Sequence, residues 1–105
     1  MTDNEIKQKA VAALTGLRGG VRPDYVSDLL SEVIPTHFVV PVPADPQSIG
    51  LAVLGQLSQP LSALLSGFVL AFETIAEAYD RTDPEVSTEE VLQSLALALA
   101  REDSA

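Results

Sequence analysis

The stretch QSIGLAVLGQLSQPLSALLSGFVLAF, from Gln47 to Phe72, carries no charged side chain, and Pro46 extends the uncharged run to 27 residues. A run of that length is either a membrane span or the buried middle of a small helical protein, and its internal pattern separates the two. Pro60 falls inside it, and Gln56, Ser58, Gln59, Ser62 and Ser66 dilute its hydrophobicity. Beyond it, the spacing of Leu61, Leu64, Leu65, Phe68, Ala71, Phe72, Ile75, Ala76 and Tyr79 places all nine within one helical stripe. Ser62, Ser66, Glu73, Glu77 and Asp80 share one flank outside that stripe, which a lipid-facing helix does not need. No Lys or Arg lies between Arg22 and Arg81 to anchor either end at an interface, and tryptophan is absent. The pattern predicts two core helices meeting at Pro60, with no membrane partner.

Working towards the N-terminus, the run is preceded by PTHFVVPVPADP, in which Pro35, Pro41, Pro43 and Pro46 exclude helix and a central strand. This proline-rich connector, about 35–46, has room for a short extended piece at Phe38-Val39-Val40. Asp45-Pro46 is a good cap and first-turn pair for the next helix. Before the connector, Pro23 opens a helix whose stripe is Tyr25, Val26, Leu29, Leu30, Val33 and Ile34, ended by Pro35. Earlier still, Thr2 and Glu5 form a capping box for a first helix through Ile6, Ala10, Ala13, Leu14 and Leu17, stopped by Gly19-Gly20. Towards the C-terminus, RTDPEV is a turn. Ser87 with Glu90 forms a second capping box, and Val91, Leu92, Leu95, Ala98 and Leu99 make a last helix ending near Arg101.

The expected fold is therefore all-α: a small bundle of four to five helices, with the whole of 1–105 as one helical domain. Its 105 residues and 47% hydrophobic content suit one globular core, built from Leu, Val and Ala rather than aromatic plates.

Charge and composition then narrow the function. The net charge is −9, and residues 23–105 hold 13 acids against Arg81 and Arg101 alone. Such a surface repels phosphate, so no nucleic-acid partner is expected, whereas a basic protein would be attracted. There is no cysteine, which excludes disulfides, thiolate nucleophiles and thiolate metal sites. The opening MTDNEIKQKA lacks the basic-then-apolar order of a signal peptide, and cytoplasm is the expected compartment. Few lysines with abundant Ala, Leu and Val point to a bacterial or phage source.

No catalytic constellation emerges. GLRGGVRPD, around Arg18 and Arg22, lacks the preceding strand and the Lys-Ser/Thr of a phosphate loop, and Asp24 places a negative charge where phosphate would sit. His37, the single histidine, has no G-x-S-x-G or comparable motif to work with. Asp80, Asp83, Glu85, Glu89 and Glu90 cluster, but without the glycine and spacing of a calcium loop. No enzyme activity, cofactor or metal is expected.

The small residues carry more information. Ala63, Ser66, Gly67 and Leu70 gather behind the apolar stripe, and a glycine inside a helix costs about 1 kcal/mol against alanine. That cost points to a close backbone approach. Leu97 stands alone on the last helix amid Glu90, Ser94 and Arg101. These five residues form the expected protein interface of a self-associating subunit, adaptor or assembly factor, with a homodimer favoured. The alternative is an acidic inhibitor or antitoxin-like binder of a basic protein, imitating nucleic-acid charge.

Overall fold

The computed structural model describes residues 1–43 and 45–104, with Ser104 as backbone only; Ala44 of the expected connector and Ala105 of the expected domain lie outside the described residues. Among the described residues there are four helices: α1 (Asp3–Arg18), α2 (Pro23–Ser31), α3 (Pro46–Asp80) and α4 (Thr88–Ser104). The expected all-α class holds, with four helices rather than five.

The missing boundary is the one placed at Pro60. α3 runs 35 residues straight through that proline. An interior proline removes one backbone hydrogen bond and crowds the preceding turn, but it does not cancel the bonds on either side. Here both sides are uncharged helix-compatible sequence, and Pro60 itself is half-buried. The helix continues because its flanks each form without it.

The predicted caps are present in atomic detail. The Glu5 backbone N–H donates to Thr2 Oγ1 at 3.1 Å, Ser48 N–H to Asp45 Oδ1 at 2.8 Å, and Glu90 N–H to Ser87 Oγ at 3.2 Å. Pro23 occupies the first turn of α2. Gly20 takes φ +88°, the left-handed conformation that a glycine adopts without strain, directly after the Gly19 cap of α1. α2 ends at Ser31, short of Pro35, in a turn that leaves Val33 buried. α4 extends three residues past Arg101.

The chain divides into two compact units, Met1–Leu70 and Ala71–Ala105, where the sequence leads one to expect a single domain; the division falls within α3. In the first unit, Ile6 and Ala10 of α1, Val33 after α2, and Ala63 and Leu64 of α3 form the buried cluster, with Leu30 and Phe68 packed against it. Lys9 forms an ion pair with Glu32 beside this cluster.

The connector carries no strand among its described residues. Phe38-Val39-Val40 is instead fixed by one side chain. Gln56 Oε1 accepts from the Val39 N–H at 2.8 Å, while its Nε2 donates to the Val39 carbonyl at 2.6 Å. A single amide thus does what one rung of a β-ladder would do. In the second unit, Asp80 accepts from the Thr88 backbone N–H at 3.0 Å and from its hydroxyl at 2.6 Å. Tyr79 Oη donates to the Val86 carbonyl at 2.8 Å. These bonds hold the turn between α3 and α4.

Candidate interaction surface

Gly67 is buried, and a Cβ added there would lie 2.8 Å from Ala10 Cβ and 3.0 Å from Lys7 Cα. The close approach that its helix position implied is made by α1 of the same chain. Ala63 is buried alongside it at 5% exposure. The other three residues read as interface lie elsewhere: Ser66 is exposed, Leu70 is 55% exposed and Leu97 is 58% exposed. Leu70 borders a groove of about 260 Å³ with Asn4, Lys7, Gln8 and Val11 of α1. So the small-residue face divides: Ala63 and Gly67 serve the chain's own packing, and Ser66 and Leu70 flank it on the surface.

The apolar stripe expected to form the core is the greater surprise. Leu61, Leu65, Phe72, Ile75 and Tyr79 are exposed by 40%, 64%, 47%, 65% and 41%. Geometry supplies the reason. α1 is rich in alanine on its inner face, and it packs on the narrow side of α3 at Ala63 and Gly67, where two backbones can approach closely. In the first unit, that contact leaves Leu61 and Leu65 on the flank. Leu64 alone of the large stripe residues is buried, and Phe68 is half-buried.

In the second unit no residue is buried among those described, and Val91, Leu92, Leu95 and Leu99 of α4 are each close to half exposed. This unit holds nine acids against Arg81 and Arg101. Two of its features bear on charge. Asp80 is held below its ordinary carboxyl value by the Thr88 hydroxyl and then by the Thr88 backbone N–H. Arg81 pairs with Glu77 one turn earlier at 3.6 Å, an exposed contact of little weight.

The remaining sequence candidates stay dispersed. His37 is exposed, with Nδ1 3.0 Å from Thr36 Oγ1 in the connector. Arg22 reaches the nearby Asp24 carboxylate at 3.4 Å, an exposed pair at the start of α2. Among the described residues, no group of three or more histidines or carboxylates is placed to hold a metal ion. α3 is long and apolar enough to cross a membrane.

Gln56 is a structural residue whose role the sequence pattern does not indicate. Its polarity in an apolar run is the only signal, and that signal does not name a partner. Comparison with protein-family models, with curated proteins and with solved structures finds no match to this chain.

Proposed function

We propose that this chain is a non-enzymatic helical interaction protein that self-associates, most simply as a dimer, and serves as a subunit, adaptor or assembly factor in the cytoplasm. One observation carries the reading: the imbalance between what the chain buries and what it leaves out. Among the described residues, the buried hydrophobic ones are Ile6, Ala10, Ala13, Val33, Ala63 and Leu64, three of them alanines, and no large side chain is fully buried. Against these stand 25 exposed large hydrophobic residues among those described. Single exposed leucines are ordinary, but large apolar side chains exposed in such number, Leu51, Leu54, Leu61 and Leu65 of the first unit among them, are what an interface looks like before its partner is in place. Leu70 and Leu97 are exposed apolar side chains outside the stripe.

Concentration tests this directly. A protein completed by its own copies melts at a temperature that rises with protein concentration, because association stabilises only the folded form. The expected outcome is a rise of several degrees over a hundredfold range in concentration. A melting temperature that stays constant, with a monomer mass, would remove the reading.

The second reading is an acidic binder of a basic protein, favoured by the nine acids and two arginines of the second unit. Salt separates the two. A charge-driven complex weakens steeply as ionic strength rises, and an apolar self-association does not. Neither reading calls on His37, so His37→Ala should leave partner affinity within about threefold, and a larger loss with intact helicity would restore that residue to a functional role.

A further inference from the structure

Among the described residues, Asp83 is the one residue other than glycine with a positive φ, at +55°. It stands directly before Pro84, in the turn between α3 and α4. Aspartate tolerates the left-handed region better than most side chains. A following proline works against it, because the ring crowds the N–H and Cβ of the residue before it and favours an extended backbone there. Such a conformation persists only where surrounding bonds hold it. Here they hold it from both ends of the turn. Tyr79 Oη reaches the Val86 carbonyl at 2.8 Å, and Asp80 takes both the N–H and the hydroxyl of Thr88 at 3.0 and 2.6 Å. The stretch from Arg81 to Glu85 is thus a loop tied across its base. On the α3 side, the Thr82 N–H and hydroxyl both donate to the Tyr79 carbonyl, and the Asp83 N–H donates to the Asp80 carbonyl at 3.2 Å. The chain is wound as far as Asp83, and Pro84 has no N–H with which to continue.

We infer that the Asp83-Pro84 bond is a self-cleavage site, where the chain cuts itself by intramolecular acyl transfer. The chemistry needs only these two residues, a proton and water. An Oδ of Asp83 attacks the carbonyl carbon of the same residue, closing a five-membered ring whose members are already joined. The bond from that carbon to the Pro84 nitrogen breaks, and the nitrogen, released from a tertiary amide, takes a proton from the medium. Asp83 is left as a cyclic anhydride and Pro84 as a new amino terminus. Water then opens the anhydride to two carboxyl groups, so the net change is hydrolysis of one peptide bond. Two observations favour the step here. Asp83 is exposed, and among the described residues its carboxylate accepts no hydrogen bond that would hold it back. Breaking the bond also frees Asp83 from the Pro84 ring, a relief of strain that an unstrained Asp-Pro bond lacks. The chain holds its own control at Asp45-Pro46, the same dipeptide, where the Asp45 carboxylate is engaged by the Ser48 N–H at 2.8 Å.

Intact mass spectrometry on the full chain, held in mild acid at about pH 4.5, reads both bonds at once, as fragments 1–83 and 84–105 or 1–45 and 46–105. In the folded chain Asp83-Pro84 should break at least about fivefold faster than Asp45-Pro46, and in urea the two rates should differ less than about twofold. Equal rates in the folded chain would overturn the inference. A preference for Asp83-Pro84 that urea leaves unchanged would overturn it too, since neighbouring sequence rather than the tied loop would then be its cause. Two variants separate the nucleophile from the strain. Asp83→Asn accepts the left-handed region but lacks the attacking carboxyl, and should slow cleavage there at least about tenfold. Tyr79→Phe removes one tie of the loop and leaves both reacting residues in place. It should slow cleavage at Asp83-Pro84 at least about threefold and leave Asp45-Pro46 as it was. A Tyr79→Phe chain that keeps its helix content by circular dichroism and still cleaves at the wild-type rate would contradict the role given to the tied loop.

Discussion

Gly67 shows how far one residue can be read before its surroundings are known. The helical cost of glycine signalled a close approach, and nothing in the sequence indicated that α1 of the same chain would make it. The geometry turns this into a graded prediction. A methyl at Gly67 meets Ala10 Cβ at 2.8 Å and the Lys7 backbone at 3.0 and 3.2 Å, and backbone yields only by moving a helix. Overpacking of about 1–3 kcal/mol is set against the ~1 kcal/mol gained in helix propensity, so Gly67→Ala should lose up to about 2 kcal/mol in urea unfolding. Gly16 offers the contrast. Its added methyl meets Val21 Cγ2 at 2.9 Å and Tyr25 Cε1 at 3.0 Å, both ends of exposed side chains that can turn aside. Gly16→Ala should therefore fall within about 0.5 kcal/mol of wild type. Equal losses at the two sites would mean that α1 does not lie against α3 as described.

At the scale of elements, the ends of the helices were the most legible feature. Thr2, Asp45 and Ser87 each accept the backbone bond their positions implied, because capping is local chemistry and needs no tertiary information. Pro60 was misleading. Its effect depends on whether the turns around it are stable, and here the uncharged, helix-compatible flanks on both sides carry the helix through it. Gln56 is not a local matter: its bonds to Val39 span 17 residues. Gln56→Ala should speed hydrogen exchange of the Val39 amide by at least about fivefold, with exchange inside α1 unchanged. An unchanged Val39 amide would mean that something other than Gln56 holds the connector.

Acid should act on the turn into α4, as it should on the Asp45 cap of α3, whose carboxyl is likewise lowered by the Ser48 backbone N–H. The Asp80 carboxyl, held below its ordinary 3.8 by the Thr88 hydroxyl and N–H, favours the folded form at pH above that value. The contribution is lost as pH falls through the lower folded value, so the first turn of α4 should loosen below about pH 4 while α1 keeps its helicity. Amide chemical shifts of Thr88 and its neighbours, tracked by NMR, check this, and Asp80→Asn should remove the transition. Simultaneous loss at α1 and α4 would instead indicate one cooperative acid unfolding.

For the whole molecule, the sequence established the helical class and the direction in which it is charged. It misassigned the two faces of α3. Periodicity marks Leu61, Leu65, Phe72 and Ile75 as apolar and on one side, but it cannot say whether the chain itself or another molecule covers them. In the first unit, Ala10 and Ala13 of α1 are buried at 0% and 1% exposure, while Leu61 and Leu65 of α3 stay exposed. The chain is left with a small private core and a large apolar remainder. Its native mass in solution, measured by multi-angle light scattering across concentration, tests that account most directly. The account predicts a mass of at least twice 11.1 kDa at micromolar concentration and little change with added salt. A mass of 11.1 kDa maintained to millimolar concentration would contradict it.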